Sequence, residues 1–191
     1  MTKKKKHEIK DYVDLVRLAC NTGGRMKVED FDKFCNRNDG RWLKKNKYIE
    51  FKEESAIGQY VEFTKRCYKW YKSYSEEKIY SRSSSNSHDI ALSHKMSEYV
   101  DKGIMTVYDI YSPIEYLKKF DGGYGYENEH LGAPDVIVVS EEFGTFGFDL
   151  VTQNYTKADI QTKVDWCSMH SIGCVIDDIH YEKRSFSTFI F

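Results

Sequence analysis

The chain has 191 residues, of which 40% are hydrophobic and 31% charged, and it contains only two prolines. This composition supports a buried core in one domain or two small ones, and it excludes a chain that is mainly disordered. The formal net charge of −1 gives no overall bias toward an acidic or a basic partner. Because no run approaches about 18 uninterrupted apolar residues, we expect no membrane-spanning helix and no membrane partner. The basic N-terminus is not followed by an apolar run, so we expect no secretory signal.

The distribution of charge is asymmetric. Residues 1–80 carry 20 Lys and Arg against 13 Asp and Glu, whereas residues 81–191 carry 9 against 17. A basic half followed by an acidic half suggests two units with different tasks, the first of which faces nucleic acid. The alternative interpretation is that the basic surface only keeps the protein in solution.

Cysteine usage points to a reducing compartment. The five cysteines are an odd number, they are widely spaced, and no two of them form a CxxC pair. This pattern argues against a disulfide framework and against a zinc site built on paired cysteines. We therefore expect reduced thiols and a cytoplasmic protein.

The first 80 residues predict three short helices, a hairpin and a fourth helix. Apolar residues at helical spacing predict the first two helices, and Asp39 is expected to cap a third that contains Trp42 and Leu43. Alternating residues at 48–51 and 59–63, on either side of a turn with Gly58, predict a two-stranded β-hairpin. A further helix is expected over 65–74. Three helices followed by a hairpin is the plan of a winged helix-turn-helix.

The third helix of that plan is expected to carry DNA contacts. In a winged helix it enters the major groove, while nearby cations meet phosphates on either side. The cations in and just after this segment are Arg41, Lys44, Lys45 and Lys47. We therefore predict that these four residues bind double-stranded DNA, the alternatives being a winged helix used for protein contacts or a helical cap.

A Ser-rich segment at 81–86 predicts a linker between residues 1–80 and a second unit at 87–191. The second unit should begin with a helix capped by Ser87, with His88, Leu92 and Met96 on one face. Residues rich in β-formers follow at 104–110, and Pro113 is expected to open a short helix. Two antiparallel strands are then predicted at 133–139 and 146–153. A helix over 157–169 and two more strands, the last at 186–191, complete the order.

This helix, three-strand, helix, strand order resembles the restriction-endonuclease-like PD-(D/E)xK core. With the winged helix before it, the chain more narrowly resembles the replication-relaxation family of plasmids and mobile elements. The segments that carry the resemblance are His-Asp-Ile-Ala-Leu at 88–92, Pro-Asp-Val-Ile at 134–137, Phe-Asp-Leu-Val-Thr-Gln at 148–153, and the helix at 157–166. The resemblance implies an α+β or α/β fold with a small nuclease-like second domain.

The resemblance also implies a metal site. Asp135 and Asp149, on adjacent strands, would hold Mg²⁺, which prefers oxygen ligands and helps to generate hydroxide at a scissile phosphate. The lysine that normally follows two residues after the second acid is replaced by Val151. Gln153 and Lys157, or Lys163 on the same helix, are the candidates to assist from another direction. This departure makes a DNA-binding protein with a degenerate nuclease domain the first interpretation, and a Mg²⁺-dependent endonuclease or nickase the second.

A third interpretation is a phage or plasmid inhibitor that acts by protein–protein contact. The acidic surface of residues 81–191 would then mimic nucleic acid and occupy a basic partner from the host or from the machinery of the element. A surplus of aromatic residues on the helix over 65–74 is also consistent with a homodimer contact.

Overall fold

The computed structural model describes residues 7–75, 85–120, 132–152, 154–180 and 185–190. Within these ranges the protein is a mixed α+β fold with seven α-helices and two β-sheets. None of the helices in the described ranges is both long and apolar enough to cross a membrane. Most of the predicted linker lies outside the described residues, which exclude 76–84.

The N-terminal region builds a three-stranded sheet with helices on it. A short 3-10 helix at Ile9–Tyr12 precedes its elements, which are α1 (Val13–Asn21), β1 (Arg25–Lys27), α2 (Val28–Phe34), α3 (Arg37–Lys45), β2 (Ile49–Glu54), β3 (Gly58–Phe63) and α4 (Lys65–Ser75). The predicted hairpin of β2 and β3 is present. The sheet has the strand order β1-β3-β2, and β3 is antiparallel to both of its neighbours. Strand β1, which was not predicted, adds a third strand by pairing Met26 with Val61.

The C-terminal region builds a five-stranded sheet with helices packed against it. Its elements are α5 (Asn86–Asp101), a 3-10 helix at Val107–Asp109, β4 (Ile110–Tyr111), α6 (Pro113–Phe120), β5 (Val136–Ser140), β6 (Gly144–Val151), α7 (Lys157–Met169), β7 (Gly173–His180) and β8 (Ser185–Ile190). Ser85 caps α5 by accepting a hydrogen bond from the His88 backbone, so the helix begins before the predicted Ser87 cap.

The five strands stand in chain order, β4-β5-β6-β7-β8. Strands β4, β5 and β6 form an antiparallel meander, and β7 returns parallel to β6 because α7 carries the chain back across the sheet. Alternate residues of β6 therefore face opposite layers. Phe148 and Leu150 face the layer with α5, whereas Asp149 and Val151 face the layer with α7.

The two regions share one buried core. The larger hydrophobic cluster combines residues before the predicted linker, such as Leu15 and Phe63, with residues after it, such as Leu92 and Phe148. Buried polar contacts join the same regions, since Arg17 of α1 donates to the carbonyls of Val107 and Ile110 at 2.9 and 3.0 Å. The predicted division into 1–80 and 87–191 therefore separates two sheets that are packed on a continuous core.

Candidate functional site

Helix α3 begins with a side-chain cap at Asn36. The Asn36 side chain accepts hydrogen bonds from the backbone N–H groups of Asn38 and Asp39, at 2.9 and 3.2 Å. Asp39, the predicted cap, instead lies inside the helix, and its carboxylate accepts a bond from the Asn36 backbone. This reciprocal capping box satisfies N–H groups that a helix start leaves unpaired. The helix therefore starts earlier than predicted and includes Arg37.

The exposed face of α3 is basic. Arg37, Arg41 and Lys44 are exposed and recur at the spacing of one helix face, and Lys45 and Lys47 are exposed beside them. The four predicted DNA-binding residues thus lie on one surface. The sequence analysis missed Arg37, although its position four residues before Arg41 was the available signal.

A groove runs along this face. It has a volume of about 520 Å³, and its lining includes Arg37, Arg41, Lys44, Gly40 and Phe51. Phe51 of β2 is 42% exposed, and the Lys44 ammonium lies 5.6 Å from the centre of its ring. The surface therefore combines three cations with an accessible aromatic side chain.

The end of α3 is tied to the start of α4. Lys47 adopts a left-handed conformation with φ of 59°, which turns the chain out of the helix. The Tyr48 N–H bonds back to the Leu43 carbonyl at 3.0 Å, and the Thr64 hydroxyl donates to the Lys47 carbonyl at 2.7 Å. Lys47 thereby lies directly beside the first turn of α4.

A second site lies at the end of β5 and β6, where two aspartates face each other. Val136 pairs with Phe148, and continuing this antiparallel register places Asp135 opposite Asp149. Opposed residues of an antiparallel pair project to the same face. The negative charge of Asp135 accordingly helps to raise the pKa of Asp149. The structure thus brings the two predicted acids to neighbouring positions, which the sequence left open.

Asp135 is held by a backbone amide and a histidine. Its Oδ2 accepts a hydrogen bond from the Leu150 N–H at 2.9 Å and lies 3.0 Å from Nε2 of His88, which is buried on α5. Burial lowers the pKa of His88, but the hydrogen bond with Asp135 and the nearby negative charge of Asp89 outweigh burial and raise that pKa to about 10. His88 is therefore a cation at neutral pH, and Nε2–H donates to Asp135.

Asp149 is fully buried and faces a lysine of α7. Lys163 Nζ lies 3.2 Å from Asp149 Oδ1 and donates a hydrogen bond to the Ala133 carbonyl at 2.6 Å. Burial, and next the charge of Asp135, raise the pKa of Asp149 despite the opposing effect of Lys163. Neither carboxylate oxygen of Asp149 has a hydrogen-bond partner within the described part of the chain, so Lys163 acts on it as a nearby charge. The site is a compact set of two acids and two cations.

Lys157 and Gln153 are the other two residues predicted to assist the acidic pair. Lys157 is exposed at the first position of α7, and no contact joins it to either carboxylate in the described ranges. Lys163, six residues later, takes the position beside Asp149. Gln153 lies outside the described residues. Val151 is buried against Trp166 and Ile176 in the smaller hydrophobic cluster, which explains why an apolar residue suits this position.

Asp89, which the sequence placed in the same motif as His88, has a different partner. Its carboxylate pairs with Arg25 of β1 at 2.5 Å, while His88 Nδ1 lies 3.8 Å away. A side chain at Gly23 would collide with this carboxylate, since a Cβ there would lie 2.4 Å from the Asp89 carboxyl carbon. Asp89 therefore joins the two sheets rather than adding a third acid to the Asp135 site.

A third group of metal-ligating side chains, Glu29, Asp30 and His94, lies where α2 meets α5. Asp30 is fully buried, and its two oxygens lie 2.8 Å from His94 Nδ1 and 3.0 Å from Lys33 Nζ. Burial raises the pKa of Asp30, but the bonds from His94 and Lys33 outweigh burial and lower it. The carboxylate is thus paired with two protein cations or donors, His94 and Lys33.

No protein-family model, no curated protein and no solved structure matches this chain. The functional conclusion therefore rests on the fold, on the basic surface of α3 and on the buried Asp135–Asp149 site.

Proposed function

We propose that this protein binds double-stranded DNA through the exposed basic face of α3. The observation that carries the proposal is the row of Arg37, Arg41 and Lys44 on one face, continued by Lys45 and Lys47. Exposed cations keep their hydration until they meet phosphates, and binding then releases the counterions of the DNA. Arginines in the first turns of a helix are also suited to guanine edges in the major groove.

The order of elements supports the same role. The series α1, β1, α2, α3, β2 and β3, with its three-stranded sheet, fits a winged helix-turn-helix in which α3 is the recognition helix. The resemblance to the replication-relaxation family favours a DNA-binding protein of a plasmid, transposon or phage that acts in the cytoplasm.

The five-stranded sheet supports the proposal that the C-terminal region is a nuclease-like domain that has lost nuclease activity. Its meander, crossover helix and parallel fourth strand are compatible with the PD-(D/E)xK plan, and the neighbouring strands β5 and β6 carry the two aspartates of the resemblance at or next to their ends. However, Asp149 is 0% exposed and is paired with Lys163, while Asp135 is 6% exposed and is bonded to His88. Carboxylates that are buried in this way beside protein cations are not open to a phosphate backbone, which favours a degenerate site.

The experiment is a titration of fluorescent duplex DNA by fluorescence anisotropy at several salt concentrations. We expect Lys44→Ala with Lys45→Ala to weaken binding by roughly five- to tenfold per lost phosphate contact, and to flatten the salt dependence by about 0.9 per contact. The matched control is Lys102→Ala with Lys118→Ala, which removes the same charge from exposed positions after the predicted linker. Equal affinities for both double variants would remove α3 from the interface, and absence of binding by the unaltered protein would redirect the search to a protein partner.

A second candidate, a metal-dependent endonuclease, is favoured by one observation, the approach of Lys163 to Asp149. Lys163 supplies from α7 the cation that is missing at Val151. The two carboxylates fit Mg²⁺ in donor chemistry, and Asp149 Oδ2 has no hydrogen-bond partner among the described residues. Asp135 and Asp149 would hold the ion, which when bound would supply a hydroxide and neutralise charge at the scissile phosphate.

This candidate is tested by incubating supercoiled plasmid with the protein and Mg²⁺, Mn²⁺ or EDTA. Nicking that needs the metal and is lost in both Asp135→Asn and Lys163→Met would establish the nuclease. A mobility shift without nicking would support the first proposal. Circular dichroism of each variant separates loss of activity from loss of fold.

A further inference from the structure

Helix α4 carries a second exposed basic surface. It contains no acidic residue, and its four exposed cations are Lys65, Arg66, Lys69 and Lys72. The opposite face is buried through Cys67 and through Tyr71, whose hydroxyl accepts a hydrogen bond from Arg17 of α1. The cations therefore point away from the core. In the described part of the chain, no ion pair engages any of them.

The basic surface of α4 continues that of α3. The Thr64 hydroxyl, just before α4, bonds to the carbonyl of Lys47, and the guanidinium of Arg66 lies 5.0 Å from the centre of the Tyr48 ring. Lys65 to Lys72 then extends this surface by about 10 Å along the helix axis. Duplex DNA carries one charge per roughly 1.7 Å of its axis, so this length faces several phosphates.

The hairpin of β2 and β3 has the opposite charge. Its single lysine, Lys52, pairs with Glu62 and lies 3.8 Å from Glu50. Glu53 is exposed, and Glu54 accepts a hydrogen bond from the Tyr60 hydroxyl. The turn at 55–58 contains only Ser, Ala, Ile and Gly. Four carboxylates against one paired lysine make this hairpin repel phosphates.

We propose that the DNA backbone runs from α3 onto α4, and that the acidic hairpin stays off the phosphates. The inference rests on DNA binding by α3 and adds the direction of the duplex across the protein. It follows from charge and placement: cations of α4 gain from phosphate contact, whereas the Glu-rich hairpin loses by it.

The test compares three double variants in the same salt-dependent anisotropy titration. Lys69→Ala with Lys72→Ala should weaken binding by roughly five- to tenfold per lost contact and lower the salt slope by about 0.9 per contact. Glu50→Gln with Glu53→Gln should change the affinity by less than about twofold, because these exposed carboxylates make no direct contact with the phosphates and solvent screens their repulsion. The control is again Lys102→Ala with Lys118→Ala.

Each result has one meaning. Weakening by the α4 variant but not by the control supports the inference. Unchanged affinity and slope for the α4 variant, with weakening by Lys44→Ala and Lys45→Ala, would overturn it and leave the α3 proposal intact. A rise of tenfold or more for the glutamine variant would place the hairpin against the phosphates and also overturn it. If the unaltered protein bound no DNA, the proposed function itself would fail.

Discussion

The two sheets of this protein place their charges in opposite environments. Around the three-stranded sheet, the cations of α3 and α4 are exposed. Around the five-stranded sheet, two cations lie inside the fold beside carboxylates, His88 next to Asp135 and Lys163 next to Asp149. A buried ion loses its hydration and persists only when a partner compensates it, whereas an exposed ion remains available to a ligand. The exposed cations of the first region are thus available to a ligand, whereas the buried cations of the second are engaged by protein carboxylates.

The regions meet in a buried polar contact that belongs to neither sheet alone. Arg17 of α1 lies 2.9 Å from Glu115 of α6, and both side chains are almost entirely buried. The same guanidinium donates to the Tyr71 hydroxyl at 2.9 Å and to the carbonyl of Ile110. The exposed and the buried charge arrangements are therefore held in one cooperative unit.

The largest effect is expected from breaking this contact. Arg17→Leu leaves the Glu115 carboxylate buried without a cation and should lower the free energy of unfolding by about 3–5 kcal/mol. Because the core is shared, urea unfolding followed by tryptophan fluorescence and by circular dichroism should show one coincident transition. The double variant Arg17→Leu with Glu115→Leu should be more stable than the single one. Two separate transitions would mean that the sheets fold independently.

A smaller loss should follow from removing the cation beside Asp149. Lys163→Met should cost about 2 kcal/mol at pH 8, because the cation that is paired with a buried carboxylate is lost. The pKa of Asp149 is already raised by burial and by Asp135, and removal of Lys163 raises it further. Stability should therefore fall more steeply from pH 5 to pH 8 in the variant than in the unaltered protein. If urea unfolding showed the same dependence of stability on pH in the variant and in the unaltered protein, Asp149 would not be a buried carboxylate whose ionisation depends on Lys163.

The buried pairing of His88 with Asp135 should also make the stability of the protein depend on pH. The pKa of His88 rises from 6.5 to about 10 on folding, since the hydrogen bond with Asp135 and the nearby charge of Asp89 outweigh burial. The stability from this pairing is complete below about pH 6.5 and is lost as pH rises through about 10. Between pH 7 and pH 10 the unaltered protein should lose on the order of a few kcal/mol, and His88→Gln should lose less. An NMR titration of the imidazole that gave a pKa near 6.5 would contradict this pairing.

The smallest effect on stability is expected on the exposed surface. Arg37→Ala should change the free energy of unfolding by no more than about 0.5 kcal/mol, since its side chain is solvated. The same change should weaken DNA binding roughly five- to tenfold, as the loss of one cation contact implies. Measured together, the two values separate recognition from folding. A large loss of stability would show that the Arg37 side chain contributes to folding, as the buried cations do.

Local pattern was sufficient for much of the secondary structure. Alternation predicted the β2–β3 hairpin and the β5–β6 pair, and helical spacing predicted α5 and α7 close to their observed bounds. Strand β1 was missed because three residues, Arg-Met-Lys, carry no alternation that distinguishes them from a loop. The start of α3 was missed because Asn36 and Asp39 are both good caps, and only the backbone geometry shows which one lies outside the helix.

The sequence by itself determined the segregation of charge, the run of cations at 41–47, and the placement of one aspartate on each of two neighbouring strands. These follow from composition and from the strict two-residue period of a strand. The tertiary structure brought Asp135 and Asp149 opposite each other. It also decided the partners: Lys163 rather than Lys157 at Asp149, Arg25 at Asp89, and His88 at Asp135. Each of these contacts joins residues far apart in the chain. Such pairing depends on how helices pack on a sheet, and that packing is set by the whole buried core rather than by any local pattern.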